Sequence, residues 1–137
     1  MSIQNQAGFT LIEILIVIAI VAVLSALVIP SYNNHTTKTR RTDAKIALTK
    51  AAAELEKCYV LHNQYDHNNC NSFPGSGADV VLSDEGYYKV VATNLGQTTF
   101  TLTASPADGS PQAGDSHCAN FTITSTGIKD ATNNDCW

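Results

Sequence analysis

The sequence predicts an α+β protein, a long N-terminal helix packed on a small C-terminal antiparallel sheet, with two disulfides in the C-terminal part. Three observations predict it. Apolar residues crowd at one end, 21 of the first 30 against 39 of the remaining 107. A stripe of small and apolar residues at three- and four-residue steps follows, and then short alternating stretches separated by turn residues. At 137 residues there is room for one domain. A net charge of −4 argues against a basic surface able to neutralise a run of phosphates, so no nucleic-acid reader is expected.

From Phe9 to Ile29 the polar members are Thr10, Glu13 and Ser25. As a helix this stretch covers about 31 Å, enough for a bilayer core, and lipid admits only helices or closed barrels. A secretory signal peptide would also place an apolar run here. Against it, Met1 to Gly8 contains no Lys or Arg, no small-x-small site with a polar mature start follows Ile29, and a carboxylate opens the run. The run is expected to be kept as an anchor. An ionised Glu13 within it costs on the order of 3 kcal/mol. Either it lies close enough to the membrane surface to stay wet, or it meets a buried cation, and the run itself holds no Lys, Arg or His.

Pro30 lacks an amide donor and clashes with the preceding turn, which predicts a kink or a melted stretch around Leu27 to Pro30. Such a break serves either as a membrane-exit turn or as the point where the helix extends when the chain leaves the bilayer. Beyond it, Ala44, Ala47, Leu48, Ala51, Leu55, Cys58, Tyr59 and His62 form the stripe of an amphipathic helix over Thr42 to His62. Lys45, Lys50, Glu54 and Lys57 take the other side, and Lys38, Arg40, Arg41 and Asp43 read as a solvated face, with contact to neighbouring subunits as the alternative. One interrupted helix from Phe9 to His62 would run about 80 Å. That is too long for the rest of the chain to bury, so half of it must be covered by membrane or by other subunits.

A loop rich in Asn, Gly, Ser and Asp runs from Asn63 to Glu85. Strands are predicted at Tyr87 to Ala92, Thr98 to Ala104 and Ala119 to Thr124. Phe100, Leu102 and Ala104 share a face of the second, Phe121 and Ile123 a face of the third. Asn94-Leu95-Gly96 supplies a turn, and Pro106 to Gly114 a longer connection. A meander packed on the helix's Ala/Leu stripe is the economical arrangement.

Cys58, Cys70, Cys118 and Cys136 allow three full pairings. Proximity favours Cys58 with Cys70 and Cys118 with Cys136, and loops of that size are worth about 3 kcal/mol in the chain-entropy model. The competing zinc reading lacks close Cys or His pairs, with His67 near Cys70 and His117 beside Cys118 as its hints. Disulfides imply an oxidising compartment, which places the C-terminal part in the periplasm or outside. No cofactor, metal or enzyme activity is expected, because Ser, His and Asp lie in polar loops without a G-x-S-x-G elbow or a phosphate-binding glycine loop. His35, His62, His67 and His117 read as surface or loop residues. Trp137 reads either as a cap on the sheet core or as an exposed contact.

The string Gly8-Phe9-Thr10-Leu11-Ile12-Glu13, the apolar run after it and the closing Pro30-Ser31-Tyr32 resemble the N-terminus of a type IV prepilin. The resemblance is strong through Tyr32. It departs from the family's usual pattern in a leader without Lys or Arg. It implies cleavage between Gly8 and Phe9 by a membrane aspartyl prepilin peptidase, N-methylation of Phe9, and a filament in which Glu13 neutralises the terminal ammonium of a neighbouring subunit. The divisions it implies are a leader at 1–8, an assembly helix at 9–30, an amphipathic helix at 31–62 and a head at 63–137. The pair Cys118 and Cys136 matches the disulfide-bounded C-terminal loop of these pilins. The ending Asp135-Cys136-Trp137 resembles minor pilins of the PilE type, and Glu85-Gly86-Tyr87-Tyr88 favours pilins over the pseudopilins of type II secretion. The implied partners are other pilin subunits, the peptidase, an inner-membrane assembly platform and the membrane before assembly. The implied locations are the inner membrane with a periplasmic head, then an extracellular pilus serving twitching motility, adhesion or DNA uptake. The rival readings are a type II secretion pseudopilin and a membrane-tethered periplasmic binding or enzymatic domain.

Overall fold

The computed structural model describes residues 8–70, 73 and 80–137. Positions 1–7 of the expected leader, and positions 71–72 and 74–79 of the predicted 63–85 loop, lie outside the described residues. The chain divides into two compact units, Met1–Thr36 and Thr37–Trp137.

One helix, α1 (Leu11–His62), contributes to both units. Its start is chemically marked. Thr10 Oγ1 accepts the Glu13 amide, and Glu13 Oε2 accepts the Thr10 amide, each at 3.3 Å. This reciprocal T-x-x-E box satisfies two donors that helix ends leave orphaned. At the other end Asn63 takes a left-handed φ of 55° and donates its amide to Tyr59 O at 2.7 Å, closing the helix with an αL cap. Within α1, Ser25 Oγ donates to Val21 O at 2.7 Å, and Thr36 Oγ1 to Tyr32 O at 2.9 Å. The hydroxyls are thus satisfied inside the helix. By length and composition α1 is able to cross a membrane.

The expected melted stretch around Leu27 to Pro30 does not occur, since α1 is helical throughout. Proline removes one amide donor, whereas propagation of a helix of 52 residues is cooperative on both sides of it.

The second unit carries five strands: β1 (Val80–Leu82), β2 (Tyr88–Leu95), β3 (Phe100–Pro106), β4 (Phe121–Thr124) and β5 (Lys129–Ala131). They form one antiparallel sheet in sequence order. Two edge strands therefore join the three expected ones. The anticipated turn at Asn94-Leu95-Gly96 falls later, because Asn94 and Leu95 still pair with Thr101 and Phe100. A register shift between Ala92 and Asn94 absorbs the difference. The turn closes where the Gly96 amide donates to Thr99 O at 2.9 Å.

The core lies between the stripe of α1 and one sheet face. Ala44, Leu48, Ala51 and Leu55 meet Tyr88, Val90, Phe100, Leu102, Ala104, Phe121 and Ile123 in one buried cluster. The inward set alternates along β2, β3 and β4, the period-two signature of a sheet covered on one side. Tyr65 and Phe100 add an edge-to-face contact at 4.9 Å.

Candidate assembly and binding sites

At the N-terminal site, Gly8 and Phe9 precede α1, and Phe9 is 83% exposed. A Cβ at Gly8 would meet nothing within 4 Å. The described part of the chain gives Gly8 no packing reason to be glycine. Glu13 is exposed and serves the capping box through Oε2. Pro30 lies inside α1.

In the head, Cys58 is bonded to Cys70 and Cys118 to Cys136, with Cα separations of 5.6 and 5.7 Å. The first bond ties the last turns of α1 to the following loop. The second closes the segment that contains β4 and β5. His117, Cys118 and Cys136 do cluster, but both sulfurs sit in one disulfide and offer no thiolate to a metal. His117 instead meets Asp135 at 2.9 Å, and His67 stacks on His62 at 4.0 Å.

Two residues read as solvated are structural. Asp43 is 8% exposed, and its carboxylate accepts from Ser83 Oγ and from the amides of Glu85 and Tyr87, each amide at 3.4 Å. Ser83 Oγ in turn accepts the Tyr88 amide at 3.0 Å. The turn between β1 and β2, with Gly86 at a φ of 73°, is thereby pinned to α1. Arg41 grips Asp115 bidentately, Nε to Oδ2 at 2.7 Å and Nη2 to Oδ1 at 2.9 Å. Asp115 also accepts the Cys118 amide at 3.3 Å, so the clamp ends at the disulfide loop. That grip holds the Asp115 carboxyl below, and the Arg41 guanidinium above, their ordinary values. Gln112, fully buried, donates to Tyr88 Oη at 2.9 Å and to Thr37 O at 3.3 Å. Burial, aided by the hydrogen bond to Glu56, pushes the Tyr65 phenol up to about 12. The sequence offers one cue to Asp43 and Arg41: both sit within a turn of the stripe rather than opposite it.

Trp137 caps the core, with its ring edge-on to Phe121 at 6.1 Å. Its indole Nε1 donates to Asp130 O. The Lys129 ammonium lies 5.0 Å and the Lys45 ammonium 5.9 Å from the ring. A shallow groove beside it is lined by Lys45, Ile46, Thr49, Lys50, Lys129 and Trp137.

A glycine-phenylalanine junction ahead of a capped apolar helix, joined to a helix-backed meander with a disulfide-bounded C-terminal segment, defines a type IV pilin. A family model described as type IV minor pilin ComP, DNA uptake sequence receptor, matches residues 30–122, and a prokaryotic N-terminal methylation motif matches residues 3–29. The chain belongs to this minor pilin family. A fimbrial protein of Pseudomonas aeruginosa is 47% identical over 112 residues, covering 70% of this chain and 72% of its own. A fimbrial protein of Neisseria meningitidis serogroup A is 31% identical over 100 residues, 73% of this chain. The match spans 57% of that relative's length. A type IV major pilin protein PilE1 of Neisseria gonorrhoeae is also 31% identical over 100 residues, 73% of this chain and 54% of its own. PilE relatives are thus described as major pilins, and the minor assignment comes from the family match. The solved Neisseria meningitidis non-core minor pilin PilV shares the fold, with a TM-score of 0.52 at 18% identity over 74% of this chain and 91% of that one.

Proposed function

We propose that this chain is a structural minor subunit of a type IV pilus. It is cut between Gly8 and Phe9 by prepilin peptidase, methylated on Phe9, and inserted through the 9–30 segment into a filament with other pilins. Before assembly that segment anchors it in the inner membrane with the head in the periplasm, from which an assembly platform extracts it to the cell exterior. Glu13 then meets the terminal ammonium of a neighbouring subunit. Two buried charges tolerate the apolar filament interior only as a pair. Pro30 marks where the helix changes surroundings between bilayer and fibre.

The observation that carries this reading is the pairing of the methylation motif at residues 3–29 with the minor pilin match at 30–122. The absence of any packing demand for glycine at Gly8 supports it, since cleavage then accounts for the residue. The capping box also supports it. Glu13 engages its own helix through Oε2, which leaves Oε1 for a second donor. Among the behaviours of such pili, the family's description favours DNA uptake. Mass spectrometry of subunits from sheared filaments tests the processing. A chain starting at methyl-Phe9 is expected, and an intact Met1 terminus in piliated cells rejects it. For uptake, deletion of the chain is expected to abolish acquisition of exogenous DNA while filaments persist; unchanged acquisition rejects that role.

A further inference from the structure

We infer that the dithiol form of the head, which precedes the bond between Cys118 and Cys136, binds Zn2+ through Cys118, Cys136 and His117. The oxidised site offers a metal nothing, because the two sulfurs are bonded to each other. The chain is nevertheless made with thiols, and the fold gathers the three residues whether or not the sulfurs are joined. One ligand atom from each lies within 4.8 Å of the other two. Among the described residues no third ligand of this kind joins Cys58 and Cys70, so the two cysteine pairs are chemically distinct.

The distances suit zinc. Zn–S bonds of about 2.3 Å at a tetrahedral angle set two thiolates about 3.8 Å apart. The Cα atoms of Cys118 and Cys136 are 5.7 Å apart, so turning the side chains, without moving the strands, opens that gap. Both cysteines are buried and His117 is exposed, which gives the ion a dry pair of sulfurs behind an accessible imidazole. His117 is already oriented. Asp135 meets its Nε2 at 2.9 Å, and Asn133 Nδ2 donates to its carbonyl oxygen at 2.6 Å. Cys136 Sγ lies 3.5 Å from the same carbonyl. A carboxylate beside the ring is the usual orienting partner of a metal-bound histidine. Three protein ligands leave the fourth position to water.

As the two Zn–S bonds form, each thiol gives its proton to solvent. When the sulfurs are later joined, they pass two electrons to the disulfide of a thiol oxidant. The oxidant's sulfurs take up two protons and leave as thiols, and Zn2+ is released. Until then the ion keeps Cys118 with Cys136 and away from Cys58 and Cys70, selecting one of the three full pairings. The C-terminal segment is thus closed before its covalent bond exists.

The test uses the full chain in nonionic detergent, reduced anaerobically with a phosphine. Co2+ serves as the spectroscopic probe, and Zn2+ affinity is read by competition with a chromophoric chelator. The reduced chain is expected to show thiolate-to-cobalt charge transfer and the visible bands of a tetrahedral site, both removed by Zn2+. The oxidised chain should show neither. His117→Asn changes an exposed side chain, so its oxidised form should keep the native circular dichroism, and its reduced form should bind Zn2+ at least about tenfold more weakly. His67→Asn and Cys58→Ser/Cys70→Ser should bind as the wild type does. Unchanged affinity in His117→Asn overturns the site, as does a charge-transfer band that survives Cys118→Ser/Cys136→Ser. A reduced wild type without the band overturns it too, and so does an equal loss in His67→Asn.

Discussion

Arg41 and Asp115 illustrate how a charged pair acquires structural weight: their side chains are 17% and 5% exposed, and the geometry is bidentate. A surface pair is worth little because water screens it, whereas removing one partner of a desolvated pair strands the other charge. Arg41→Gln should therefore cost about 2 to 3 kcal/mol, read as a lowered urea midpoint. The pair also sets an acid limb. Because the folded state depresses the Asp115 carboxyl, its contribution is complete above the unfolded value of 3.8 and is lost as pH falls through the lower folded value. Urea midpoints measured from pH 6 downward should fall less steeply below pH 4 in Arg41→Gln than in wild type. Parallel curves reject this account. The position of Arg41 beside the stripe is legible in the sequence, but its partner is not, since a contact across 74 residues leaves no local periodicity.

At the level of elements, legibility follows the strength of the repeat. The Ala44 to Leu55 stripe and the alternations in β3 and β4 can be read directly, because burial on one face imposes its own period. β5 cannot. Lys129-Asp130-Ala131 has no alternation and weak strand preference, and is a strand only because Phe121, Thr122 and Ile123 offer it a ladder. The end of β2 eludes the pattern because the shift near Thr93 breaks the pairing count. An edge strand of three residues depends on its covalent closure. Cys118→Ser/Cys136→Ser should lower head stability by about 3 kcal/mol and raise amide exchange in β4 and β5. Amides of α1 near Leu48 should exchange as before at native-state conditions. Equal acceleration there would mean the loop and the core open as one unit.

For the molecule as a whole, the first 30 residues announce a membrane segment, and the proposed cleavage after Gly8 is what would turn it into an assembly helix. The box of Thr10 and Glu13 gives the carboxylate one duty, capping the start of its own helix, and the proposed assembly would give it a second, meeting a neighbour's ammonium. Glu13→Ala should leave peptidase cleavage intact and cut incorporation into sheared filaments at least several-fold, read by quantitative immunoblot of pilus and membrane fractions. Full incorporation of the alanine variant would make the carboxylate incidental.

Each strand after β1 pairs with its immediate predecessor. Folding that proceeds from β1 to β5 therefore never has to wait for a distant segment before adding its next hairpin, and unsatisfied edges are brief. The exception is Cys136, whose bond to Cys118 has to await the final residues. Closing that bond last fixes the end of the sheet only once β4 and β5 are in place.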